Sequence, residues 1–256
     1  MTFRPWMVAA LSLGTLAAWT PAPPAAHRYK LDVKTVQVVN LAALGQGEQR
    51  VEITGSGFVT VSTADSAGGQ TVKVVLDSLQ LGEGSPIPPD QVKTAAGATW
   101  TGYRAANGRV NDLKLTEENA VASTIEGVLQ QLFPPFKNGT GPGKSWTDTT
   151  ETQRNGSIAI RTVTNFLTSA DTYNGLKVTK LAGASSSSIS GSQESPQGTV
   201  QIEGTGSATS SWLIGADGTC LTSTYNGTQS LQVTVAVAPE PLPLTVTTEG
   251  SASLLK

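Results

Sequence analysis

The chain has 256 residues, of which 38% are hydrophobic, 14% charged and 5% aromatic, and its formal net charge is −2 at pH 7. This composition argues against a long helical bundle, which needs many Glu, Lys and Leu residues, and against wholesale disorder, which needs low hydrophobicity. The single His and single Cys exclude most metal sites and most nucleophile chemistry. Because the sequence has no basic cluster, it offers no electrostatic footprint for nucleic acid or an anionic membrane surface.

The N-terminus has the pattern of an export signal. Arg4 precedes an apolar stretch over residues 7–19, and a small-residue segment over residues 21–26 follows. The apolar stretch is shorter than the roughly 20 residues that span a bilayer. We therefore predict a signal peptide over residues 1–26, an extracytoplasmic location (periplasm or secreted) and no membrane span. An uncleaved N-terminal anchor is the alternative. His27 follows the cleavage region directly, which predicts that it lies in a flexible end.

Alternating hydrophobicity is the dominant pattern of residues 27–256, which we predict to form a single β-rich domain with halves over about 27–133 and 134–256. Leu231 and Val233 alternate with Gln232 and Thr234, and the same period recurs in other segments. Period two with one polar face is typical of antiparallel sheet. Asn-Gly or Asp-Gly pairs predict tight hairpins between the strands. These pairs begin at Asn107, Asn138, Asn155, Asn174, Asp217 and Asn226.

One segment follows a helical period instead. Val121, Ile125, Val128, Leu129 and Leu132 form a single stripe, with Thr116 as a plausible N-cap and a Pro-Pro pair at 134–135 as the stop. This pattern predicts one amphipathic helix over about 116–132 that covers one face of the sheet. The predicted fold is therefore mainly β, a strongly curved antiparallel sheet or half-barrel covered by that helix.

The C-terminal half carries three further features. The Ser-rich tract over residues 185–196 predicts a mobile loop. The proline-rich segment 239–243 interrupts the last ladder and predicts that the final strand, 244–248, lies at an edge. Cys220 has no partner for an intramolecular disulfide, and we predict a buried thiol on a strand.

Several catalytic patterns fail on inspection. The tract from Gly139 to Ser145 resembles a phosphate-binding loop, but Asn138 stands where the pattern needs Gly, so we predict a structural loop that delivers Trp146 to the core. Serine chemistry lacks a base other than His27, and no zinc or calcium motif is present. Solvated faces account for the acidic residues that could otherwise serve glycoside hydrolysis: Glu117, Glu118, Glu126, Asp148 and Glu151. We predict that the protein is not an enzyme and has no cofactor, metal or nucleic-acid partner.

Apolar residues of the helix and aromatic residues after it form the candidate site. They are either a filled core or the lining of an apolar cavity that holds a lipid or another hydrophobic molecule. The candidate ligand-binding residues are Val121, Ile125, Leu129, Phe133, Phe136, Trp146 and Phe166. A local repeat also stands out, because residues 51–57 (VEITGSG) match residues 200–206 (VQIEGTG). We interpret it as a recurrent strand-entry motif.

The segments Phe133-Pro-Pro-Phe136 and Gly143-Lys-Ser-Trp146, which follow the helix, resemble an uncharacterised family of exported bacterial β-sheet proteins. The resemblance covers residues from about 51 to 181 and implies a location and a fold, without catalytic residues. The order of strands, one covering helix and more strands is also similar to the half-barrels that carry lipid or lipoprotein through the periplasm.

These features predict a non-enzymatic extracytoplasmic protein that binds a hydrophobic ligand or an envelope component between helix and curved sheet. The alternative is a structural or adhesive envelope domain with a filled core and no ligand. A transmembrane barrel is a third hypothesis, disfavoured because the chain ends without a terminal aromatic residue. The sequence leaves the oligomeric state open.

Overall fold

A computed structural model describes residues 25–136, 140–154, 157–195, 198–236 and 238–255. Most of the predicted signal peptide (residues 1–24) lies outside these ranges, as do Asn138, Asn155 and Val237. The described residues include eleven strands. They are β1 (Ala25–Asn40), β2 (Glu48–Ser66), β3 (Gly69–Leu81), β4 (Thr99–Ala105), β5 (Val110–Leu115), β6 (Ser145–Arg154), β7 (Ile158–Tyr173), β8 (Leu176–Ser195), β9 (Gly198–Ile214), β10 (Cys220–Thr234) and β11 (Leu242–Leu254).

All eleven strands belong to one antiparallel sheet in the order β5, β4, β3, β2, β1, β11, β10, β9, β8, β7, β6. The first and last strands meet near the middle of the sheet, since Tyr29 lies opposite Leu254 and Val39 opposite Leu244. The two edge strands, β5 and β6, are consecutive in the sequence. The sheet curls into a half-barrel, which confirms the predicted fold class.

The final strand is central, and its predicted edge position is wrong. β11 pairs with β1 on one side and with β10 on the other, where Pro243 lies opposite Gln232. Pro243 lies near the start of the strand, so only one backbone donor is lost from a long ladder. His27 also departs from its prediction, because it lies in β1 opposite Val61 instead of in a flexible end.

The Ser-rich tract is a strand and not a loop. Residues up to Ser195 belong to β8, which pairs with β7 and β9 along its length. The two ladders satisfy its backbone, and the Oγ atoms of Ser185 and Thr164 lie 2.8 Å apart as a cross-strand hydrogen bond. Short side chains therefore suit a strongly curved strand here, although their composition resembles that of a loop.

Three of the turn predictions are confirmed. The pairs that begin at Asn107, Asn174 and Asp217 connect successive strands. Asn174 has φ 50° and Gly175 has φ 78°, the left-handed conformation that a tight hairpin requires. Asn226 and Gly227 instead lie inside β10, so the prediction of a turn there is wrong. The ring of Tyr225 covers the α-carbon of Gly227, and a side chain at 227 would collide with it.

The predicted helix exists in a shorter and broken form. A first helix, α1 (Pro89–Thr94), was not predicted, while the predicted stripe forms α2 (Ala120–Thr124), α3 (Glu126–Leu129) and a 3₁₀ turn (Gln130–Leu132). We call residues 119–132 the helical segment. Its N-cap is Asn119, whose Oδ1 accepts hydrogen bonds from the N–H groups of Val121 and Ala122.

The predicted cap, Thr116, instead prolongs the strand pairing, because its N–H and hydroxyl both donate to the carbonyl of Thr99. The break at Ile125 has a local cause. The Ser123 hydroxyl donates to the carbonyl of Ala120, and such back-bonding bends helices in segments of low helix propensity.

The helical segment packs on one face of the sheet, which we call the inner face. On β1 and β2 this face presents Leu31, Val59 and Val61, all buried, while the intervening residues face outward. Together with Trp100 and Leu129 these side chains form the main core. A second cluster on the β7–β10 side contains Cys220, as predicted for a buried thiol on a strand.

Within the described residues, the helices are too short and too polar to cross a membrane.

Candidate functional site: the inner face of the half-barrel

The structure divides the seven predicted site residues between the two clusters. Four belong to the helical segment and its exit and lie in the main core: Val121, Ile125, Leu129 and Phe133. Phe136 and Phe166 are buried in the second cluster, and Trp146 packs against it while partly exposed. The seven residues thus flank both sides of the same inner face but do not line one common chamber.

The second cluster closes one end of the half-barrel with stacked rings. The rings of Trp146 and Phe166 lie 5.2 Å apart and are stacked, and Trp212 lies 6.4 Å from Phe166. The Trp212 Nε1–H donates to the carbonyl of Gln131 at 2.8 Å, which ties the helical segment to β9. The helical segment therefore bridges the two halves of the sheet.

The loop that resembled a phosphate-binding motif has a structural role. The Thr168 hydroxyl accepts from the Lys144 N–H at 2.9 Å and lies 2.9 Å from the carbonyl of Gly141, to which it donates. The Gly143 N–H donates to the Thr168 carbonyl at 2.7 Å. These amides hold the entry to β6 and are not arranged around a ligand. The loop positions Trp146, which begins the closing aromatic stack.

The helical segment fills the space beneath it. A cavity of about 10 Å³ remains there, and its lining includes Leu31, Gly57, Leu76, Ile125 and Val128. This volume holds about one water molecule, whereas ligand pockets start at about 300 Å³. Leu129 is fully buried and Ile125 is 7% exposed. Room for a larger molecule on the inner face must therefore come from the part of the face beyond the helical segment, or from displacement of that segment.

Beyond the helical segment, cross-strand rows of inner-face residues remain half-buried. One row towards the open end is apolar apart from one glycine, and we call it the apolar row. It consists of Ile160, Ile189, Gly204, Leu231, Leu244 and Val39. Ile189 is buried, and a side chain at Gly204 would meet Leu231, so the row is in mutual contact.

Between the apolar row and the aromatic stack lie two rows of mostly small or polar residues. They are Thr162, Ser187, Gly206, Gln229, Val246 and Gln37, followed by Thr164, Ser185, Ala208, Gly227, Thr248 and Thr35. A Cβ at Gly206 would lie 2.6 Å from the Ser187 Oγ, so the glycine leaves room for that hydroxyl. The inner face is thus mostly polar in the middle and apolar towards its open end.

Charged side chains are absent from the middle of the inner face. Between the rows of Leu31 and Val39, the described inner-face residues of the eight strands from β3 to β7 in sheet order are uncharged, whereas Asp148 of the edge strand β6 lies opposite Thr164 on this face. The outer face of the same strands carries Lys30, Asp32, Lys34 and Glu249, and Lys34 forms an ion pair with Glu52 at 2.8 Å. A solvated sheet face normally carries charges, so their absence from the middle of the inner face indicates that this part suits an uncharged surface.

The closed end of the half-barrel contains three titratable side chains in electrostatic contact. Burial raises the pKa of the Tyr29 hydroxyl and raises the pKa of the Cys220 thiol to about 12. Burial lowers the pKa of the Arg104 guanidinium, whose Nε–H donates to the Gly108 carbonyl at 3.2 Å. Cys220 therefore remains a protonated thiol at neutral pH, which is the unreactive form.

Three buried polar atoms have no hydrogen-bond partner among the described residues: Trp100 Nε1, Gln131 Oε1 and Ser223 Oγ. Ser223 lies on the inner face of β10 between Trp212 and Ala252. An unsatisfied buried hydroxyl destabilises a fold. Ser223 is thus a polar residue in an apolar setting, where an alanine would fit better.

Outside the inner face, a shallow groove of about 310 Å³ crosses the outer side of β9, β10 and β11. Its lining includes the exposed residues Thr209, Thr224, Asn226 and Glu249 and the half-buried Ser211. The described residues contain no group of three or more His, Cys, Asp or Glu side chains with the spacing of a metal site.

Sequence reasoning missed most of the inner-face residues beyond the helical segment. Ile189 was hidden in the Ser-rich tract, and Leu231 was seen as part of a strand but was not assigned to a site. The G-x-G motif, which occurs at residues 55–57 and 204–206, was the sequence signal that could have identified part of this face. Both copies lie within strands, β2 and β9, and a side chain at Gly57 or Gly204 would collide with the neighbouring strand.

No protein-family model matches the chain, and no curated protein matches it in sequence. Two solved structures, both mutants of the Rh. blastica porin, align with it. One, with two substitutions, has 8% sequence identity and a TM-score of 0.29 over 90% of this chain and 100% of its own. The other, with five substitutions, has 10% identity and a TM-score of 0.27 with the same coverage. At TM-scores this low, neither alignment shows a shared fold.

Proposed function

We propose that the protein is a non-enzymatic, extracytoplasmic binder of a hydrophobic ligand, a lipid or another envelope component, held on the inner face between the helical segment and the curved sheet. The observation that carries the proposal is the uncharged middle of the inner face on the strands from β3 to β7, combined with the apolar row. An apolar patch that stays partly exposed on a protein surface commonly marks a binding site.

The apolar and hydroxylated rows of the inner face predict the orientation of the bound ligand. Its apolar part contacts the apolar row around Leu231 and Leu244, and the hydroxylated rows meet a less apolar part. The residues predicted from the sequence form the closed end, since Leu129, Phe133 and Phe166 are buried there. These residues contact the ligand only if a longer ligand displaces the helical segment.

The location belongs to the same proposal. The pattern of residues 1–26 supports export, and the Phe133–Trp146 resemblance to exported bacterial β-sheet proteins supports the same compartment. N-terminal sequencing of the protein recovered after export tests this point. We expect cleavage after Ala25 or Ala26; recovery of uncleaved protein from the cytoplasmic fraction contradicts it.

Ligand uptake is tested on the exported protein purified without detergent. Native mass spectrometry before and after lipid extraction is expected to show a mass excess that extraction removes. A fluorescent fatty acid added to the extracted protein is expected to bind with saturation. Repeated recovery of the bare polypeptide mass, together with no uptake of the fluorescent fatty acid, overturns the proposal.

One observation favours the alternative, a structural or adhesive envelope domain with a filled core. Ile125 and Leu129 are buried beneath the helical segment, and the empty space left there is only about 10 Å³. This alternative predicts no uptake and an unchanged melting temperature when fatty acid is added. A bound ligand instead raises the melting temperature with its concentration, because it stabilises only the folded state.

A further inference from the structure

The two edges of the sheet are built differently. β5 has six residues and a register shift against β4, at which Asp112 takes a left-handed φ of 51°. Asp112 and Lys114 add charged side chains that are 80% and 77% exposed. A short, bulged and charged strand is the usual way in which a protein blocks edge-to-edge pairing.

The other edge also carries charges, at Asp148, Glu151 and Arg154, but it is longer and has no register shift. β6 has ten residues that pair with β7 from Ser145 to Arg154 in an unbroken register. Its sequence contains five Ser or Thr residues and neither Pro, Gly nor Lys. Within the described residues, the ladder hydrogen bonds of β6 go to β7, and its Asp148 carboxylate also forms an ion pair with Arg109 of the β4–β5 turn. β6 is thus a long, regular edge with unpaired backbone groups.

We propose that the outer edge of β6 is a dimerisation surface, on which a second copy of this chain adds its own β6 antiparallel. The geometry meets the requirement of two-fold symmetry, since one strand offers the same edge to its copy. The inner faces of the two copies form one continuous surface only if even-numbered residues of β6 lie opposite even-numbered residues of its copy. A one-residue slip would place inner-face residues opposite outer-face residues.

Charge selects the register. Centring on Thr150 places that residue opposite its copy, Thr149 opposite Glu151 and Asp148 opposite Thr152, so that like charges do not lie directly opposite each other. If the register shifts by two residues, so that Thr149 lies opposite its copy, the two Asp148 carboxylates become diagonal neighbours. Their repulsion would be poorly screened by water, because Asp148 is only 30% exposed. In the proposed pairing, the two Glu151 carboxylates are diagonal neighbours instead. Their repulsion is weaker, because Glu151 is 77% exposed and lies 3.6 Å from Arg161 of its own chain.

A charge pair at one position tests both the surface and its register. Thr149 is exposed on the outer face and lies opposite Glu151 of the second copy in the proposed pairing. Thr149→Glu creates two like-charge contacts by symmetry, and we expect dimer dissociation to increase about 10-fold. Thr149→Lys creates two opposite-charge contacts, so its dimer is expected to be as tight as the parent or tighter.

Analytical ultracentrifugation of the purified chain over a range of concentrations measures the effect. Thr205→Glu, at an exposed outer-face position of β9, controls for added charge and is expected to leave the dimer unchanged. Urea unfolding of each variant confirms folding. A parent chain that stays monomeric up to about 1 mM overturns the surface. Equal responses to Glu and Lys at position 149 overturn the proposed pairing.

Discussion

Arg109, on the turn between β4 and β5, forms an ion pair with Asp148 of β6, and this contact joins the two edges of the open sheet. Both side chains are about 30% exposed, at 31% and 30%. Beside them, Gly108 packs directly on the backbone of Phe136 at the exit of the helical segment. The half-barrel is therefore fastened at its closed end, while its apolar end stays open.

The first prediction concerns this contact. Asp148→Asn leaves Arg109 without its partner in a half-buried position, and we expect the free energy of unfolding to fall by about 1 kcal/mol. Urea denaturation measures the change. Asp32→Asn is the matched control, because its pair with Lys30 is 48% exposed at the carboxylate and should contribute less than about 0.5 kcal/mol. Equal losses in both variants would show that the edges are not fastened here.

Two buried hydroxyls should respond in opposite directions. Ser223 has no hydrogen-bond partner among the described residues, whereas the Thr168 hydroxyl holds the Gly141–Lys144 loop, and both residues are 1% exposed. Ser223→Ala should raise the free energy of unfolding by about 1 kcal/mol, because it removes an unsatisfied polar group. Thr168→Val should lower it by about 2 kcal/mol, since the Lys144 N–H loses its acceptor. Losses of similar size from the two substitutions would contradict this assignment.

The glycines of the repeated motif are required by close backbone approach. A Cβ at Gly57 would lie 2.5 Å from the carbonyl oxygen of Ser78 on β3. Gly57→Ala should therefore lower the free energy of unfolding by about 2 kcal/mol. Gly47 has no atom within 4 Å of the same position, so Gly47→Ala should change it by less than about 0.5 kcal/mol. Thermal unfolding of the two variants separates them; equal tolerance would show that the strands can move apart.

Much of the architecture could be predicted because it rests on local patterns. Alternating residues identified β2, β3 and β10, and Asn-Gly chemistry identified the β7–β8 turn at Asn174. Pairing of distant strands leaves no local signal, so the central place of β11 between β1 and β10 was missed. The Ser-rich part of β8 was missed because its short side chains remove the contrast between faces that reveals a strand.

The candidate site was predicted in part for the same reason. Periodicity found the helical residues Ile125 and Leu129, and aromatic composition found Phe166. The sequence could not show that these side chains would belong to two separate clusters, because that depends on the path of the helical segment across the sheet. Leu231 and Leu244 join Ile160 and Ile189 in the apolar row only through the register of five successive strands.

Alkaline pH should destabilise the fold through buried acids. The ordinary pKa of the Cys220 thiol, 9.0, rises to about 12 in the folded protein, and burial also raises the pKa of Tyr29. The contribution of Cys220 to stability is therefore complete below about pH 9 and is lost as pH rises from about 9 to 12.

Between about pH 8 and about pH 10.5, the free energy of unfolding should fall by about 2 kcal/mol through Cys220. Urea unfolding at both pH values measures this. Cys220→Ala should show a shallower decline, because Tyr29 then contributes alone. An identical decline with and without the thiol would assign the alkaline effect to other groups.

The most direct test of the proposed function uses neighbouring residues on opposite faces of β10. Leu231 belongs to the apolar row, and Gln232 is exposed on the outer face. Displacement of a fluorescent fatty acid is measured for Leu231→Glu and Gln232→Glu, with Val246→Thr as a nearly isosteric inner-face variant. We expect Leu231→Glu to weaken binding at least about 10-fold, Val246→Thr to weaken it less, and Gln232→Glu to leave it unchanged. Binding that is absent from the parent, or that responds equally to charge on either face, would contradict a ligand site on the inner face.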